Sequence, residues 1–173
     1  MTGHRGIPPE QLKEILERHR EWVESKGKKG KRASLALAKL WGAGLEGVDL
    51  SGADLGEAIL VRANLARAVL VGTNLAKANL FEASLKGANL QEANLKGANL
   101  EGADLSTANL ARASLSGTNL EGANLSGVNL RRVYLMRANL LGADLRDATG
   151  LTVAQVQSAI VDKKTRLPAY LNL

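Results

Sequence analysis

A five-residue periodicity assigns this chain to the all-β solenoids: a parallel β-helix of stacked coils, with a short α-helix at each end. Three observations predict it. Leucine recurs at every fifth residue from Leu35 to Leu145, 23 positions without a miss. Two residues before the Leu lies Ala in 18 of those repeats, and the exceptions Val48, Thr73, Thr118, Val128 and Val133 are all small or β-branched. Immediately before the Leu lies Asn or Asp in 15 repeats. A regularity of this kind is the mark of a repeat architecture.

A period of five suits neither standard element. On an α-helix the leucines would spiral over every face. On a flat strand each fifth residue lands on the opposite side. A chain that turns a corner in every repeat does collect them. The Leu and the small residue two before it then point to a central axis, and the other three positions face water. The outward positions carry turn chemistry. Asn and Asp bond their own backbone. Gly stands two after the Leu in 11 of the 23 repeats, supplying positive φ at a tight corner. Successive coils stack about 4.8 Å apart through parallel hydrogen bonds.

The number of sides follows from the outliers. Trp41, Val61 and Phe81 each stand one after a Leu and are 20 residues apart, as are Arg112 and Arg132. A spacing of 15 from Trp41 gives Gly56, Val71 and Lys86, which share nothing. Four repeats per coil are favoured over three. Strings such as Ala93-Asn94-Leu95-Lys96-Gly97-Ala98-Asn99-Leu100 resemble the pentapeptide-repeat proteins. That resemblance implies a right-handed quadrilateral β-helix with four repeats per coil.

The organisation expected is 1–32 as a helical cap and basic linker, 33–148 as the coil and 149–173 as a C-terminal capping segment. Capping matters because an open β-helix exposes unpaired strand edges. Residues 9–25 read as an amphipathic helix with the stripe Leu12, Ile15, Leu16, His19, Trp22 and Val23. Pro8 and Pro9 suit its first turn and Gly27 its stop. Its apolar face should cover the first coil near Leu35 and Leu37. Thr152-Val153-Ala154-Gln155 has the form of a capping box, opening a helix to about Val161. Ile160, Leu167, Tyr170 and Leu171 are the residues expected to close the last coil. The leader His19, Trp22, Ser25, Gly27 and Gly30 into Arg32-Ala33 also resembles those of cyanobacterial pentapeptide proteins, as does the tail from Gly150 to Pro168.

Composition narrows the function classes. There is no Cys, so disulfides and thiolate metal sites are excluded, and a reducing, cytoplasmic home is expected. No apolar leader and no membrane-spanning stretch is visible. The net charge of +6 collects in the two terminal segments, and residues 33–148 balance to zero, with eleven basic and eleven acidic residues. Neither nucleophile, P-loop nor metal-ligand spacing is present. The two histidines, His4 in the N-terminal tail and His19 on the helical stripe, suit no catalytic pairing. The chain is therefore expected to be no enzyme and to carry no cofactor.

Two surfaces stand out. Trp41, Val61 and Phe81, joined by Ile59, form an outward apolar column; either the N-terminal segment folds over it or it is a partner or homodimer interface. Arg112, Arg131, Arg132 and Arg137 make a basic area late in the rod, which either receives an anionic partner or is a solvated face with Arg112 paired to Glu92. The run Lys26-Gly27-Lys28-Lys29-Gly30-Lys31-Arg32 lacks the interleaved aromatics of a nucleic-acid site and reads as a solvated linker. The leading expectation is a protein-interaction scaffold of unknown partner. The resemblance adds an alternative, since some family members inhibit DNA gyrase by imitating duplex DNA; the neutral rod disfavours it. Weak nucleic-acid binding through the basic termini comes third.

Overall fold

The computed structural model describes residues 6–171. Parallel bridges join each residue before a Leu to the residue 20 positions on: Ser34 to Asp54, Asp54 to Asn74, and so to Tyr134. Three further columns start at Lys39, Gly44 and Asp49, so the coil has four sides. We number them by their first leucine: side 1 at Leu35, side 2 at Leu40, side 3 at Leu45 and side 4 at Leu50. Every repeat Leu from Leu35 to Leu145 is buried, and from Leu45 on each is at most 2% exposed. A leucine so placed contributes about 1.5–3 kcal/mol.

One repeat shows how the backbone is satisfied. The Leu95 N–H donates to the Ser114 carbonyl one coil on (2.8 Å), and the Asn94 N–H to the Thr73 carbonyl one coil back (2.9 Å). Gly97 N–H donates to Ser116 (3.0 Å), and Ala93 N–H closes the preceding corner onto Leu90 (3.0 Å). The fifth donor, Lys96 N–H, goes to the Asn94 Oδ1 (3.2 Å). All five amide donors are thereby paired, as a stable interior requires. The Asn side chain also links coils. The Asn94 Nδ2 donates to the Asn74 Oδ1 (3.1 Å), and Asn74 in turn to Asp54 (2.8 Å). A similar ladder links Asn139, Asn119, Asn99 and Asn79 along side 2. Asp can accept but not donate, so Asp54 begins such a ladder.

Each corner is a turn from a Leu to the small residue three on, Ala in most repeats and Val or Thr in the rest, closed by bonds such as Ala98 N–H to Leu95 O (3.0 Å). Its third residue has positive φ in every repeat, Gly or not: φ is 63° at Gly122 and 58° at Arg137. This is the pattern of a type II turn. The two threonines on the inward small-residue position are explained as well. Thr73 and Thr118 are buried, and their hydroxyls donate to the Leu50 and Leu95 carbonyls at 2.7 Å.

At the start of the coil, α1 spans Pro9–Glu24. Leu12, Ile15 and Leu16 pack half-buried on the core, and His19 is fully buried. The His19 Nδ1 accepts the Ala33 N–H at 3.0 Å, and its ring stacks on Trp22 with centroids 5.6 Å apart. The turn leaving α1 is tied at each step. Ser25 Oγ accepts the Lys29 N–H (2.8 Å), Lys31 N–H donates to Arg18 O (2.9 Å), and Arg32 Nε donates to Gly52 O (2.6 Å). Leu37 is not covered by α1; it occupies a corner and is exposed.

At the other end, α2 is shorter than the sequence suggests, Val153–Gln157. Its capping box is present: Gln155 N–H donates to Thr152 Oγ1 (3.3 Å) and Thr152 N–H to Gln155 Oε1 (2.8 Å). Parallel bridges continue past it, Asn139 to Ile160 and Asp144 to Arg166, steps of 21 and 22 residues in place of 20. Val156, Leu151 and Pro168 are the buried closing residues, and Leu167 and Leu171 pack half-buried on the core as expected. Ile160 and Tyr170, expected to close the coil, are exposed, because Ile160 holds an outward bridge position and Tyr170 serves through its hydroxyl, which accepts the Leu151 N–H (3.0 Å). Among the described residues no helix is long and apolar enough to cross a membrane. His4 lies outside the described residues.

Candidate interaction surfaces

The outward residues of side 2 carry the apolar column. Lys39 and Ile59 occupy successive bridge positions, and the corner bonds Gly42 N–H to Val61 O and Arg62 N–H to Phe81 O stack Trp41, Val61 and Phe81. Trp41 is 51% exposed, while Ile59, Val61 and Phe81 are half-buried and flush with the face. The Lys39 ammonium sits 5.5 Å from the Trp41 ring centroid, a cation–π contact. Past Phe81 the column turns acidic at Glu101 and Glu121, each of which accepts an Asn side chain from the next coil.

Where the first coil, from side 2 to side 4, meets α1 there is a groove of about 880 Å³. Ile7, Leu12, Leu16 and Val23 line one wall, and Leu40, Trp41, Ala43 and Val48 the other. Trp41 therefore belongs both to the groove and to the column.

Arg112, Arg131 and Arg132 surround a hollow of about 280 Å³ walled by Gln91, Asn109 and Asn129. Arg112 pairs with Glu92 at 3.1 Å, as the column spacing suggests. Arg131, Arg132 and Arg137 have no carboxylate within ion-pair distance among the described residues. Arg137 does not line this hollow; it stands one corner away, across side 1.

Between Arg132 and Arg137 lie two residues that sequence reasoning did not single out. Tyr134 is 64% and Met136 63% exposed. A signal was present. In three repeats both outward neighbours of the Leu are large and apolar: Ile59 with Val61, Val69 with Val71, and Tyr134 with Met136. Each gives up the Asn or Asp that would bond the following N–H and extend a ladder. The basic run Lys26 to Lys31 is solvent-exposed on the turn after α1. No group of three or more His, Asp or Glu suited to a metal occurs among the described residues.

A family model described as pentapeptide repeats matches the chain in eight copies over residues 31–65, 49–87, 58–97, 88–127 and 113–149. This chain belongs to the pentapeptide repeat family. No curated protein matches it. Among solved structures it is similar to a pentapeptide repeat protein of the Arabidopsis thaliana thylakoid lumen, at 34% identity, covering 64% of this chain and 73% of that one, with a TM-score of 0.46. Rfr23, a pentapeptide repeat protein of the cyanobacterium Cyanothece 51142, is 36% identical over 69% of this chain and 64% of its own, with a TM-score of 0.39. QnrB1, a plasmid-mediated fluoroquinolone resistance protein, is 20% identical over 81% of this chain and 87% of its own, with a TM-score of 0.43.

Proposed function

We propose that this pentapeptide repeat protein is a non-enzymatic interaction scaffold whose partner site is the apolar strip Trp41, Ile59, Val61 and Phe81 on side 2. The observation that carries the reading is the substitution pattern itself. At outward position 59, where Asn would complete the turn and extend the ladder, the strip places Ile59, with Val61 and exposed Trp41 beside it. Departures from local rules concentrate at functional sites. A rigid coil loses little ordering entropy on binding. We take the coil to wind to the right, as the family resemblance implies, and α1 and α2 to act as caps that keep coils from stacking end to end.

The test compares wild type with the triple variant Trp41→Ser, Val61→Ser, Phe81→Ser, both as immobilised bait in lysate of the source organism and alone in sedimentation. A protein retained by wild type and lost with the variant supports the scaffold, and a dimer lost with the variant supports self-association through the same strip. Equal behaviour of the two forms in both assays removes the strip as the site. A DNA-mimicking inhibitor, the alternative that the family resemblance adds, needs dense unpaired carboxylates. Here Glu82, Glu46 and Glu92 are each paired with an Arg: Arg62, Arg67 and Arg112. Retention of gyrase subunits by both forms would move the chain to that reading.

A further inference from the structure

We infer that the last full turn of side 1, formed by Tyr134 and Met136 between Arg132 and Arg137, is a second docking surface, and that its partner is an acidic segment of another protein. It lies on a different side from the apolar strip and stands without it.

Charge gives the sign of the partner. From Asn94 to Arg137 the outward residues of side 1 and its two corners include no carboxylate, but do include Lys96, Arg112, Arg132 and Arg137. Only Arg112 is neutralised, by Glu92. Arg131 adds a further guanidinium at the edge of the hollow it shares with Arg132. The rest of the rod behaves otherwise: Arg62, Arg67 and Arg146 all sit on carboxylates. Three unpaired guanidiniums flanking one face, Arg131 and Arg132 at one corner and Arg137 at the other, are an exception among the described residues.

Residue type gives the class of partner. Arg, Tyr and Met are the residues that protein interfaces concentrate, and Tyr and Arg are frequent energetic anchors. Single-stranded nucleic acid would ask for a basic track along the strand and several aromatic platforms for successive bases. This patch is confined to one end and has a single aromatic ring. The tertiary structure gives Tyr134 and Met136 nothing to do: both are about two-thirds exposed while α2 binds the neighbouring backbone, through Gln155 Nε2 to Val133 O (2.8 Å). A turn-completing Asn at position 134 would have served stability better. Its column otherwise carries Ser34, Asp54, Asn74, Asn94 and Ser114, all polar.

The experiment selects a random peptide library displayed on phage against the full chain. Selected peptides are then measured by fluorescence anisotropy against wild type, Arg132→Glu/Arg137→Glu, Tyr134→Ser/Met136→Ser and the remote Lys86→Glu. Melting curves confirm that each variant is folded. Expected are peptides enriched in Asp and Glu, bound at least about tenfold more weakly by either double variant, which is the loss of one anchor, and unaffected by Lys86→Glu. Loss of binding only in the charge-reversed variant, with Tyr134→Ser/Met136→Ser unaffected, would reduce the patch to general electrostatics and overturn the proposal. Peptides without acidic enrichment, or binding indifferent to both double variants, would overturn it as well. Tighter binding of oligo(dT) than of any selected peptide, lost in the same variants, would replace the protein partner with a nucleic acid.

Discussion

The corner residue carries the most strained backbone of each repeat, and glycine is not always there to relieve it. Gly122 has φ 63° with open space around a would-be Cβ. Gly122→Ala therefore isolates the conformational term and should destabilise by about 1 kcal/mol. Gly30 has a comparable φ of 69°, but its added Cβ would stand 2.1 Å from the Arg18 carbonyl oxygen of α1. Gly30→Ala should cost more than Gly122→Ala in a denaturant titration and should loosen α1 specifically; equal costs would mean the close approach is not tight. Twelve non-glycine residues, Arg67 and Lys77 among them, hold the same left-handed corner. The stacked hydrogen bonds on either side over-determine their conformation. That is why glycine at only some corners still reads as a uniform coil.

At the scale of the element, one buried histidine helps tie α1 to the coil. Burial pushes the His19 pKa below its ordinary value; the Asp49 charge opposes this, and Arg32 reinforces it. Neutral Nδ1 is needed to accept the Ala33 N–H. The folded state therefore favours the neutral ring. The stability this contributes is complete above about pH 6.5, the unfolded value, and is lost as pH falls through the lower folded value. Acidification should detach α1 while the coil persists, followed by Trp22 fluorescence in a Trp41→Phe background. A His19→Gln variant with the same acid transition would show that the histidine is not responsible. The leader motif was legible in sequence because its residues make fixed contacts, with His19 on Ala33, Ser25 on Lys29, Gly30 against Arg18 and Arg32 on Gly52. The C-terminal tail was less so. Its bridges skip one and two residues beyond the regular 20, so periodicity could not show that Ile160 faces out and Val156 faces in.

For the whole molecule, the coil was legible because one rule, Leu and a small residue inward, holds through every repeat and burial enforces it. Outward surfaces obey no such rule. The side 2 column could be read because its members repeat at the coil spacing, whereas Tyr134 and Met136 occur once and have no periodic signature. The visible trace was a missing Asn, which acquires meaning only when the Asn94 pattern of turn bond and ladder bond is known. The two proposed surfaces lie on adjacent sides of a single stiff rod, the apolar strip on its first coils and the Tyr134 patch on its last.

The 20-residue register makes the length of this protein a gear with discrete teeth. Removing residues 96–115 takes out one whole coil and joins Leu95 to Ser116 in phase. Every side keeps its heading and the rod is merely shorter. Removing residues 96–100 also preserves the inward leucines, but it turns everything downstream by a quarter revolution, carrying Tyr134 from the side adjoining Trp41 to the side opposite. Both shortened chains should melt cooperatively with similar far-ultraviolet dichroism, and a one-residue deletion in the regular coil, which takes a repeat's Leu out of the inward position, should melt below both. A partner that grips both surfaces would tell the two deletions apart, tolerating twenty missing residues better than five.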